Sequence, residues 1–221
     1  MKKLIITLCA VLAAFCSGAQ ECSTSWPYLY PSFRQGTIYM KGGNTVEQQL
    51  NVHVLHGRLH YLDNGVVKEA LSKDILLVKI GEDQYMDVKG DIMKVCESEP
   101  RGFVAAHIVG DFDKLRESGG AYGTSTNNSA TRKLTSLDVA GHANQNHMEM
   151  WESRHNGEAL DLIRTYYLVT PEKIWTASRR GIEEELSAEG RAAFKAWLKG
   201  KKIKWNDPGS LLTLLDFVTT L

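Results

Sequence analysis

The 221-residue chain reads as an α+β protein: an antiparallel β-meander, curled into a partial barrel or a sandwich, followed by a lobe with a β-hairpin and C-terminal helices. Three observations carry that reading. From Phe33 to about Phe112 the apolar residues alternate or come in short runs between Gly, Asn and Asp, as antiparallel strands and their turns require. From Ser178 onward the apolar spacing changes to three and four residues, the period of helices packed on one face. Apolar residues make up 43% of the chain and charged residues 24%, close to globular averages, which excludes disorder, collagen-like repeats and a polytopic membrane protein.

The N-terminal element is an export signal. Met1-Lys2-Lys3 supplies a short positive region, Leu4 to Phe15 an apolar run, and Ser17-Gly18-Ala19 the small residues that a signal peptidase reads. Cleavage after Ala19 is expected. The apolar run is shorter than the ~20 residues that span a bilayer, so no transmembrane anchor is expected once the signal is gone. Cys16 follows Phe15 and Cys9 follows Leu8, where a lipid anchor needs a small residue before the cysteine. The expected mature chain holds 24 basic and 26 acidic side chains, against 26 of each in the precursor. Near-neutrality of that kind speaks against a broad nucleic-acid surface. Two cysteines remain, Cys22 and Cys96, and in an oxidising compartment an even pair suggests a disulfide. Such a bridge would close a loop of about 75 residues and contribute a few kcal/mol.

The antiparallel region spans 20–116. In Gln48 to Ala70, a two-residue turn at His56-Gly57 would set Val54 opposite Leu59 and Val52 opposite Tyr61, the register of a half-buried hairpin. Asp63-Asn64-Gly65 supplies the next turn and Val66-Val67 the returning strand. Asp74 to Ile80 and Gln84 to Val88 form another hairpin, and Gly102 to Gly110 a further strand. Residues 117–141 are rich in Gly, Ser, Thr and Asn, and read as a long polar loop.

The C-terminal lobe spans 142–221. Met148 to Trp151 and Leu160 to Val169 have strand character, and Thr170 to Lys173 turns the latter into Ile174-Trp175-Thr176. Helices are expected near 179–186, 188–199 and 208–219, capped by Ser178, Ser187 and Asp207, with Pro208 at the first helical position of the last. Leucines 211, 212, 214 and 215 make that last helix apolar enough for core packing or for docking a partner.

Chemistry-bearing residues fall into three groups. With the two-residue turn, His53 and His60 face each other directly, on the side away from Val52, at a distance that suits a shared metal ion. His142 and His147, with His155, bracket Glu149 and Glu152, but their spacing of five is not the four that aligns two ligands on a helix. For both sets a solvated polar face is the competing account. The third group is basic: Lys195, Lys199, Lys201, Lys202 and Lys204 interleave with Trp197 and Trp205, a pattern that can hold an anionic glycan, a phosphate head group or a nucleic acid. Helix-dipole stabilisation and solubility account for the same lysines without a ligand. The chain has no Gly-x-Ser-x-Gly elbow and no phosphate loop, and nothing in it implies a cofactor.

The segments that carry a resemblance are the signal-like N-terminus, Phe33-Arg34-Gln35-Gly36-Thr37-Ile38-Tyr39, the hairpin from Leu50 to Asp63, Tyr166-Tyr167-Leu168-Val169, Ala177-Ser178-Arg179-Arg180 and Leu211-Leu212-Thr213-Leu214-Leu215. In these the chain resembles a loose group of small exported proteins of unknown function from gut and oral anaerobic Gram-negative bacteria. The resemblance implies a periplasmic, surface or extracellular location and brings no site residues with it. The expectation is a non-enzymatic binding or adaptor protein with a protein or glycan partner and no nucleic-acid partner. The alternative is a metal-dependent hydrolase built on one of the histidine sets.

Overall fold

The computed structural model describes residues 23–24, 27–111 and 160–220. Strands β2 (Arg34–Met40), β3 (Thr45–His53), β4 (Arg58–Asp63) and β5 (Val66–Glu69) form one antiparallel meander. After a 3-10 turn at Ser72–Asp74, strands β6 (Ile75–Ile80), β7 (Asp83–Val88), β8 (Asp91–Glu99), β9 (Gly102–Gly110) and β10 (Leu160–Val169) form a second. The outer edge of β10 pairs with β1 (Ser23–Thr24) at one end and β11 (Ile174–Thr176) at the other.

A single meander would set β6 beside β5. Instead β6 pairs with β2, so the two meanders join through a central β2–β6 ladder. The side chains explain the choice. β6 carries the buried residues Ile75, Val78 and Ile80 and needs an apolar neighbour, which Ile38 of β2 supplies opposite Val78. β5 is four residues long with exposed Val66, Lys68 and Glu69, the short charged form that blunts a sheet edge.

The β3–β4 hairpin also departs from expectation. Its turn covers four residues, 54–57, so His53 pairs with Arg58 and His60 with Asn51. Val54 is withdrawn from the ladder by partners distant in sequence. Its N–H donates to Pro27 O and its carbonyl accepts from Gly110 N, both at 2.9 Å. Gly57 O accepts from Ile92 N at 2.7 Å, so the hairpin tip is bonded to the start of β8 and the end of β9. These bonds curl the sheet across β2, β6 and β7, while the strand path stays open: among the described residues no ladder joins β5 to β10.

Residues 27–29 continue the β2 side of β3, with Leu29 N donating to Val52 O and Tyr28 bridging to His53. The chain bulges between there and Arg34, and the buried Asn51 side chain seals the gap. Its Oδ1 accepts from Tyr30 N and Val52 N, and its Nδ2 donates to Tyr30 O and Ser32 O. Each polar atom of this amide is thereby satisfied, as burial demands.

Ser178, Ser187 and Asp207 accept from the backbone N–H three residues on and cap α1 (Arg179–Glu184), α2 (Ala188–Leu198) and α3 (Pro208–Val218). At the β10–β11 turn, Thr170 Oγ1 donates to Lys173 O and accepts from Lys173 N. This hairpin belongs to the sheet itself. The helices cover the face of β9 and β10 that presents Val104 and Leu168, burying Phe194, Leu211, Leu214, Leu215 and Val218. A second core, on Ile38, Leu50, Val52, Leu59, Val78, Ile80, Tyr85 and Ile92, lines the inner face of the curled sheet.

Candidate functional site

Side chains alternate across a strand, so the inner face carries Ile38 and Met40 of β2, Val46 and Gln48 of β3, and Tyr61 and Asp63 of β4. At the Tyr30 end this face is filled. Tyr30 Oη donates to Asp83 Oδ2 and meets Tyr85 Oη, each at 2.5 Å, and Lys94 Nζ lies 2.7 Å from Asp83 Oδ1. Burial, then the adjoining carboxylate, raises the Tyr30 hydroxyl above its ordinary pKa. Burial pushes the Asp83 carboxyl up, but its hydrogen bonds with Lys94 and Tyr30 outweigh that and hold it below the usual carboxylate range.

At the other end the inner face is open. A cleft of about 580 Å³ lies between β2, β3, β4 and the β5–β6 connection. Its floor is apolar, formed by Ile38, Met40, Ala70 and Ile75, and its walls expose Val46 and Leu71. The polar members of the lining are Gln48, Tyr61, Asp63, Glu69 and Asp74. No basic residue is among the lining, and of its three acidic residues Asp74 is the one whose carboxylate has no ion-pair partner among the described residues. Lys68, opposite Tyr61 and on the same face, pairs with Asp63, and the Lys41 ammonium is held 2.6 Å from Lys73 O. Glu69, paired with His60 across the β4–β5 ladder, turns its side chain to the His60 face, with Oε2 3.5 Å from His60 Nε2.

The sequence-derived sites are placed as follows. His53 and His60 do come together, stacked with ring centroids 4.9 Å apart and 16° between planes, but as diagonal rather than facing neighbours. They lie in the interior, 3% and 2% exposed, which overturns the solvated-face account. Tyr28 packs edge-on against both rings, and its hydroxyl is 2.8 Å from His60 Nδ1. Burial raises the Tyr28 pKa, so the phenol stays neutral. With Phe33, Leu62 and Val67 these rings form a small aromatic core under residues 27–33. Among the described residues no three His, Cys, Asp or Glu side chains are grouped to hold a metal ion. His56 is exposed on the turn, and His142 and His147 lie outside the described residues.

Cys96 carries a free, half-buried thiol at the β8 bulge opposite Val104 and Ala105. Cys22 lies outside the described residues; the neighbouring Ser23 pairs with Asp161 of β10. Lys199, Lys201 and Lys202 are exposed past the end of α2, and Trp205 is half-buried against the helical core. The cleft itself was missed in the sequence, because strands far apart in the chain form it. Its one local trace is the pair of exposed apolar residues Val46 and Leu71 beside turn residues.

Compared with protein families, curated proteins and solved structures, the chain matches none. No helix among the described residues is long and apolar enough to cross a membrane.

Proposed function

We propose that the protein is a non-enzymatic binding protein of the cell envelope or surface whose ligand occupies the cleft on β2–β5. In this reading the curled sheet is a partial barrel and the cleft is its mouth. The observation that carries it is the lining: an apolar floor of Ile38, Met40, Ala70 and Ile75, with Asp63 and Asp74 and no basic residue in the lining. A cleft of this volume suits a small molecule or a short peptide segment. The charge calls for a ligand with an apolar body and a cationic end, the body on Ile38, Met40 and Ile75 and the cation near Asp74. The positive and apolar N-terminal run, and the resemblance to exported proteins, support the location.

The test is a titration of the protein with hexylammonium, followed through the methyl resonances of Ile38, Met40, Val46 and Leu71. Those methyls are expected to shift together in a saturable curve. Val46→Arg places a guanidinium in the wall at an exposed position and is expected to weaken binding about tenfold or more. Saturable shifts at other methyls, or equal binding by the variant, would refute the assignment.

A further inference from the structure

Between residues 190 and 206 the chain holds one arginine, five lysines and no acidic residue, whereas basic and acidic residues balance overall. Arg191, Lys195 and Lys199 follow one another at intervals of four, which lines them up along one exposed stripe of α2. Past Lys199 the chain turns at Gly200, whose φ is +87°, and leaves the helix. Ile203 and Trp205 turn inward onto the helical core, and Lys202 and Lys204 are exposed between them. The Lys201 ammonium lies 3.6 Å from the Trp197 ring centroid. None of the five lysines forms an ion pair among the described residues.

Neither competing account covers this pattern. The helix dipole is felt only within the last turn, so it explains Lys195 and Lys199 but not Lys201, Lys202 and Lys204. Solubility is served by mixed signs, and like charges at intervals of four weaken a helix. We infer that this patch docks the protein on an anionic phospholipid surface. Lysines are point charges suited to a diffuse field of head groups. Nucleic acid fits less well. Base stacking needs a free aromatic face, whereas Trp197 is covered by Lys201 on one side and packs on Phe217 at 5.2 Å. The patch has one guanidinium, and Arg191 Nε already donates to Leu186 O.

The experiment is sedimentation of the full chain with phosphatidylcholine vesicles, with and without one-third phosphatidylglycerol, at low and high salt. The readout is the ratio of binding to the two vesicle types, in which any contribution common to both cancels. Wild-type protein is expected to favour the anionic vesicles strongly at low salt and to lose the preference at high salt. Lys199→Glu/Lys202→Glu/Lys204→Glu, all exposed, is expected to lower the ratio on the order of a hundredfold. The charge-matched control Lys41→Glu/Lys73→Glu/Lys79→Glu is expected to keep it. A wild-type ratio near one, an unchanged ratio in the patch variant, or an equal loss in the control would overturn the inference. So would tighter binding to duplex DNA or a sulfated glycan than to the anionic vesicles at the same salt.

Discussion

The curl of the sheet depends on the β3–β4 tip reaching β8 and β9, and Gly57 is where that contact can be probed. Its φ is +60°, and a Cβ there would stand 2.8 Å from His107 Nε2 and 3.0 Å from Cδ2. Gly65 has a similar backbone, φ +81°, with open space around its Cβ position. An L-residue in this region costs about 1–2 kcal/mol, so Gly65→Ala is expected to destabilise by that amount alone. Gly57→Ala carries the same strain plus the overlap with His107, toward the low end of the 1–3 kcal/mol of overpacking because an imidazole tip can shift. The expected total is about 2–3 kcal/mol. Urea unfolding at constant m gives the difference, which corresponds to about 2–4 °C per kcal/mol in a thermal melt. His107→Ala in the Gly57→Ala background is expected to recover about 1 kcal/mol, and His107→Ala with Gly65→Ala none. Equal costs at the two glycines, with no coupling to His107, would refute the docking of the hairpin tip.

Three further outcomes follow from the same structure. Burial holds the His107 pKa below its ordinary value against the pull of Asp91, so its contribution to stability is complete above about pH 6.5 and falls as pH drops toward the folded value; His107→Gln should flatten that limb of a pH series of melts. Asp83 is held low by Lys94 and Tyr30, so its contribution is present above about pH 3.9 and lost as pH falls through the folded value; Lys94→Met should move the onset of acid unfolding to higher pH. Burial raises the Cys96 thiol pKa, so alkylation of the Cys96 peptide, read by mass spectrometry at neutral pH, should be slow in the native protein and rapid in urea. A native rate equal to the denatured rate would contradict that burial.

Local signals in the sequence carried the elements that local physics decides. The caps at Ser178, Ser187 and Asp207, the turn at Thr170–Lys173 and the strand from Gly102 to Gly110 all depend on a few adjacent residues. The β3–β4 turn escaped because Val54 has strand character by itself, yet its backbone is bonded to Pro27 and Gly110. The depth of His53 and His60 escaped for the same kind of reason: Tyr28 and Phe33, distant in sequence, cover a face that alternation alone marks as polar. The β2–β6 ladder and the cleft depend on which strand β6 selects, a choice between two whole neighbours that no window of sequence contains.

The charge of the cleft is the most direct point of attack. Calorimetric titration with hexylammonium and hexanoate, which share an apolar body and differ in the sign of the end group, separates apolar burial from the role of the acidic lining at Asp74. The account predicts saturable binding of hexylammonium, weakened by Asp74→Asn, and hexanoate binding at least about tenfold weaker. Equal binding of the two, or a preference for hexanoate, would contradict it.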